Sequence, residues 1–124
     1  MSLTLIELPG RFAVCRLEPD TSIPEWAFRD VFSITRTDEE LSIVCHEEFV
    51  AAGTVCEGGW SGLKVQGPLD FGLTGVMASL VGPLAEAGIS IFAISTYNTD
   101  YLLVKSARLQ EAIEVLARAG HKMG

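Results

Sequence analysis

The segment LDFGLTGVMASLVGPLAEAGISIFAISTYNTDYLLV, Leu69 to Val104, holds no His, Cys, Lys or Arg, and its carboxylates are Asp70, Glu86 and Asp100. Such a set of groups suits recognition better than bond making. A helix starting near Thr74 offers backbone N–H groups and the positive end of its dipole to an anionic group. Gly72 and Gly75 let a ligand approach the backbone closely. Thr74 either caps that helix or adds a hydroxyl donor to the ligand. In the polar run STYNTD (95–100), Asp100 is the one formal charge. It is suited to a cationic group through a charge-assisted hydrogen bond, or it serves as a hairpin turn residue, where Asp is favoured.

No other cluster competes. CHEE (45–48) with Cys56 matches no zinc spacing and reads as a strand end followed by a helical turn. His121 reads as a helix-end cation. Gly67, Gly72 and Gly75 make neither a dinucleotide fingerprint nor a phosphate loop, and Ser, Cys and His form no nucleophile arrangement. Catalytic and metal-ligating residues are therefore expected to be none, with no cofactor. Trp26 and Trp60 read as packing or interface residues.

The formal charge is −7, from 16 acids and 9 bases, with no basic cluster. Neutralising phosphates is the main source of nucleic-acid affinity, so no nucleic-acid partner is expected. No apolar run is long enough to span a membrane, and MSLTLIELPGRF lacks the features of a signal peptide. Three cysteines without a CxxC read as reduced thiols of a cytoplasmic protein.

These residues need elements to hold them. Strands are predicted at TLIEL (4–8), RFAVCRL (11–17), VFSITR (31–36), LSIVCH (41–46), LKVQG (63–67), ISIFAIS (89–95) and DYLLVK (100–105). A short helix can start at Pro24, EEFVAAG reads as one helical turn, and CEGGWSG (56–62) reads as a flexible link. A helix is predicted from Thr74 to Ala87, with Thr74 as N-cap, Gly88 as its stop, and Val76, Met77, Leu80, Val81 and Leu84 inward. Pro83 removes its bond back to Ser79, so a kink or relaxed turn is expected. RLQEAIEVLARAG reads as a last amphipathic helix, with Leu109, Ala112, Ile113 and Leu116 inward and Gly120 as its stop.

FSITRTDEELSIV (32–44) lies over FAISTYNTDYLLV (92–104) at an offset of 60 without a gap, which suggests a duplication. The expected domains are 1–60, a degenerate first repeat, and 61–124, a second. Neither half shows a fourth strand after its last helix, and units of this size scarcely bury a core alone. Strands of one half are therefore expected to complete the sheet of the other.

The turn, the helix ending LAEAGI and the strand ISIFAIST resemble an ACT domain. The resemblance is strong over roughly 63–120 and weaker over 1–60. It is closest to small bacterial tandem-ACT proteins similar to CASTOR-type arginine sensors and to the regulatory regions of aspartate kinases. It implies an α+β fold of ferredoxin-like βαββαβ type, as two tandem ACT-like repeats sharing strands, with helices on one face of antiparallel sheets. It also implies a non-catalytic, amino-acid-binding regulatory or sensor protein. The alternative is a ligand-free structural or dimerisation module acting through a protein partner.

A free amino acid carries both charges that the helix start and Asp100 would meet. Positions matching the ligand contacts of the arginine-sensor branch are Leu73, Gly75 and Met77 in the turn and helix start, and Thr96, Tyr97, Thr99 and Asp100 in the knuckle. Leu73 stands where that branch carries an acidic side chain. One anion instead of two suits a smaller or neutral amino acid as well as arginine, and also a chain that has lost binding. The expected partners are a small-molecule amino acid, a second copy in a homodimer, because small repeats leave sheet edges open, and a regulated protein.

Overall fold

The computed structural model describes residues 1–70 and 72–124. Its strands are β1 (Thr4–Glu7), β2 (Phe12–Leu17), β3 (Ser33–Arg36), β4 (Leu41–His46), β5 (Val55–Val65), β6 (Ile91–Ser95), β7 (Asp100–Lys105) and β8 (Lys122–Met123). Its α-helices are α1 (Val76–Glu86) and α2 (Leu109–Arg118). Two compact units form, one from Gly10–Trp60 and one from Met1–Pro9 with Ser61–Gly124. The phenylalanine of the Leu69–Leu73 turn lies outside the described residues.

In the Gly10–Trp60 unit the strand order is β3-β4-β2 followed by the first part of β5, with antiparallel pairing throughout. This is the ferredoxin-like order, with 3-10 turns at Glu25–Ala27 and Glu47–Phe49 where helices would stand. The segment between β4 and β5 (47–54) is too short for three helical turns, and Pro19 and Pro24 confine any helix between β2 and β3 (18–32) to its second half. Ala13, Cys15, Ala27, Leu41, Ile43 and Cys45 form its core, with Trp26 and Val50 against it. The hairpin turn is closed by Thr37, whose N–H donates to the Glu40 carbonyl and whose hydroxyl accepts from the N–H groups of Glu39 and Glu40.

The expected flexible link is instead strand. β5 runs without a break from Val55 to Val65. Gly58 and Gly59 are used by a bulge, where the β2 register slips by one residue between Phe12↔Trp60 and Val14↔Glu57. Gly59 sits there at φ +77, a conformation that suits glycine, and its N–H donates to Glu47 Oε1 at 2.8 Å.

In the other unit the strand order is β8-β1-β5-β7-β6. β1 is antiparallel to β5 and parallel to β8, so the sheet is mixed rather than wholly antiparallel. From β5 onward the chain reads β-α-β-β-α-β, and β1 enters from the far N-terminal end as an extra strand. Sharing of strands was expected. The short β8, which follows α2, was not. Leu5, Leu63, Val65, Leu102 and Val104 meet Val76, Leu80 and Leu84 of α1 and Ala112, Val115 and Leu116 of α2 in one core, so both helices cover one face.

Several local expectations change. Gly75, at φ +80, occupies the N-cap of α1, and no side chain caps it, so Thr74 is not the cap. α1 continues through Pro83 to Glu86. His121 is no helix-end cation: it is buried, and its ring bridges the Leu3 N–H and the Ser79 carbonyl. The two hairpins also do not share the gap-free register. Ile34 pairs with Ile43, which at the sequence offset would put Ile94 opposite Leu103, yet Ile94 pairs with Tyr101. Both turns are tight, and the second hairpin turns one residue earlier than the offset would place it, which moves each pairing partner by two.

Candidate functional site

The turn after β5 and the tip of the β6–β7 hairpin are held together by backbone. Leu69 N–H donates to the Asn98 carbonyl at 2.8 Å. A Cβ on Gly67 would come within 3.1 Å of that same carbonyl oxygen, so glycine permits the approach. The hairpin tip closes on itself. Thr96 N–H donates to the Thr99 carbonyl at 2.8 Å, and the Thr96 hydroxyl donates to the same oxygen at 3.0 Å. Thr99 is buried, and its hydroxyl donates to the Val65 carbonyl at 2.6 Å, tying the tip to β5.

Between turn and tip lies a cavity of about 320 Å³. Leu69, Asp70, Leu73, Gly75, Val76 and Met77 line it from the turn and the start of α1, and residues 95–100 line it from the hairpin. The volume is at the lower end of small-molecule sites. Of the residues expected from the sequence, Leu73, Gly75, Met77, Thr96, Tyr97, Thr99 and Asp100 line this cavity, whereas Gly72 and Thr74 do not.

The helix start is open. Gly75 as N-cap makes no side-chain cap bond to the first turn of α1, and Gly75, Val76 and Met77 all border the cavity. That end of the helix carries the positive end of the dipole. On the acidic side, Asp100 is joined by Asp70, so the cavity has two carboxylates. Asp70 Oδ1 accepts from Gly72 N–H at 2.9 Å, and the Asp70 carbonyl accepts from Leu73 N–H, an Asx-type turn that fixes its direction. Sequence reading missed Asp70, Leu69, Val76, Ser95 and Asn98 as lining residues. The Asp–Gly spacing of the turn was the available signal for Asp70.

Two large apolar side chains remain exposed at this site, Leu73 at 46% and Tyr97 at 82%. The arrangement offers donors to an anion, carboxylates to a cation and apolar cover.

A family model described as the ACT domain matches residues 55–118. A second model, for an N-terminal domain, matches residues 10–53. The chain is 34% identical over 101 residues to the cytosolic arginine sensor for mTORC1 subunit 1 of Bos taurus, covering 70% of this chain and 30% of that protein. It therefore spans under a third of that relative's length. The crystal structure of protein Atu0741 from Agrobacterium tumefaciens superposes with a TM-score of 0.95 at 41% identity, covering 100% of this chain and 93% of that one. The regulatory subunit of aspartate kinase from Thermus flavus superposes with a TM-score of 0.67 at 10% identity over 96% and 99% of the two chains, a likeness of fold.

Proposed function

This chain belongs to the ACT domain family, and from that membership we propose that it is a non-catalytic sensor or regulatory protein that binds a free amino acid in the cavity between Leu69–Met77 and the 95–100 hairpin tip. The observation that carries the reading is the uncapped start of α1 bordering the same cavity as Asp70 and Asp100. The ligand's α-carboxylate takes the first-turn N–H groups of α1, and its ammonium takes a carboxylate. Each charge-assisted hydrogen bond of this kind contributes about 1.5–3 kcal/mol. The second carboxylate, Asp70, supports a ligand with an additional cationic group, which strengthens arginine among the candidates despite Leu73.

Exposed Leu73 and Tyr97 support a site that is closed by a second copy of the chain or by a regulated protein. The same exposure supports the alternative, a ligand-free dimerisation module.

A thermal-shift screen against the twenty amino acids, with Asp100→Ala alongside, separates these readings. At ligand about 100-fold above Kd, binding adds roughly 2.7 kcal/mol and raises the melting temperature by several degrees. A rise with one or two amino acids that disappears in Asp100→Ala supports the sensor. No rise with any of them overturns it in favour of the module.

A further inference from the structure

Strand pairing in the Gly10–Trp60 unit gathers the three cysteines that lie far apart in the sequence. Cys15 stands directly opposite Cys56 in the β2–β5 register. Opposed residues project to the same face of an antiparallel pair, with Cβ atoms about 4.5–5.5 Å apart. Their Cα separations, about 4.5 or 5.5 Å according to the hydrogen-bonding type, both fall within the disulfide range. On the other side of β2, Ala13 opposes Cys45 and Cys15 opposes Ile43, so Cys45 is a diagonal neighbour of Cys15. Cys15 and Cys45 are buried, and Cys56 is exposed. Hydrogen bonding with Cys45 together with burial pushes the Cys15 pKa far up. Cys56 is thus the thiol that an oxidant in solution meets, and Cys15 is the thiol held behind it.

We propose that Cys56 and Cys15 form a reversible oxidation site, in which a peroxide oxidises exposed Cys56 and Cys15 closes a cross-strand disulfide onto it. The Cys56 thiolate attacks one peroxide oxygen. An S–O bond forms, the O–O bond breaks, and the departing hydroxide takes a proton to leave as water. Cys56 is now a sulfenic acid. The Cys15 sulfur then attacks Cys56 Sγ. An S–S bond forms, the S–O bond breaks, and hydroxide leaves with the Cys15 proton as a second water. Peroxide is reduced to two waters while two thiols become one disulfide, and a small thiol reductant reverses the bond by exchange.

The test treats the whole chain with hydrogen peroxide, alkylates the remaining thiols after denaturation and maps peptides by mass spectrometry without reduction. The expected product is about 2 Da lighter before alkylation, contains a linked Cys15–Cys56 peptide, carries the alkyl label on Cys45, and reverts with a reductant. Cys15→Ser should leave a sulfenic acid on Cys56 that dimedone traps. Cys56→Ser, at an exposed position, tests the order without disturbing the core: Cys15 and Cys45 should then stay alkylatable at the same peroxide dose. A Cys15–Cys45 link in the wild type, a disulfide between two chains through Cys56, or oxidation of Cys15 in Cys56→Ser would each overturn the proposal.

Discussion

His121 Nε2 donates to the Ser79 carbonyl at 3.1 Å, and that carbonyl is the one left without its helical donor by Pro83. The other ring nitrogen, Nδ1, accepts from Leu3 N–H at 3.0 Å. One buried imidazole with its proton on Nε2 thus repairs α1 and anchors the chain just ahead of β1. This is how α1 passes through a proline. The donor missing from the helix arrives from beside β8, 42 residues away.

Replacing His121 by Ala removes both bonds and opens a cavity. We expect a loss of about 2–5 kcal/mol in urea unfolding. Pro83→Ala supplies a backbone donor to Ser79, so the cost of His121→Ala should fall by about 1 kcal/mol in that background. Equal costs in both backgrounds would show that the Ser79 bond contributes nothing.

Two glycines of the α1 region should respond in opposite directions. Both have open space where a Cβ would go. Gly75 sits at φ +80, so Gly75→Ala should cost about 1–2 kcal/mol through backbone conformation alone. Gly82 is inside α1, so Gly82→Ala should stabilise by about 0.5–1 kcal/mol. Melting temperatures moving the same way in both variants would contradict this assignment.

Thr99 holds the hairpin tip to β5 through its 2.6 Å bond to the Val65 carbonyl. Thr99→Val keeps the shape and removes the donor. Stability should drop by about 1 kcal/mol. Because the tip forms one wall of the cavity, amino-acid affinity should weaken as well. Titration calorimetry on the folded variant separates the two effects, and unchanged affinity would restrict Thr99 to a structural role.

Glu111 offers a check on acid dependence. Its carboxyl is held below the ordinary carboxylate value by the hydrogen bond from Arg108, at 2.7 Å. A lowered folded value means that the pair contributes stability above the unfolded value, about 4.3, and loses it as pH falls through the folded value. Glu111→Gln should therefore be less stable than wild type at neutral pH, and the gap should close in acid. Both side chains are exposed, so added salt should also narrow the gap. A gap that persists in acid at low salt would point to the packing of the side chain instead.

What the sequence revealed follows from what local pattern encodes. Alternating apolar residues exposed the hairpins, and helical spacing exposed α1 and α2, because these signals arise within a few residues of each other. The first part of β5 escaped because Gly58, Gly59 and Trp60 read as a loop until a bulge and the Glu47 acceptor account for them, whereas its end was read as the strand LKVQG. β8 is two residues long and exists through its pairing with β1. His121, the cysteine group and Asp70 escaped for the same reason, since each is defined by partners distant in the chain or across the fold. Thr74 was displaced as cap by Gly75 one residue on, whose positive φ no sequence pattern requires.

Asp70 and Asp100 line the same cavity from opposite elements, so their roles are separable by substitution. Asp100 follows the hairpin tip, and Asp70 is oriented by the N–H of Gly72. On the proposed reading, one takes the α-ammonium of every ligand and the other takes a cationic side chain. Asp70→Asn and Asp100→Asn should each weaken binding of a basic amino acid by roughly 10- to 100-fold, matching a charge-assisted bond. Only one of them should weaken binding of a neutral amino acid. Calorimetry with arginine and with a neutral analogue of similar length gives the comparison directly. If both variants weaken both ligands equally, the two carboxylates share the α-ammonium. If neither variant changes either affinity, the zwitterion is not held in this cavity.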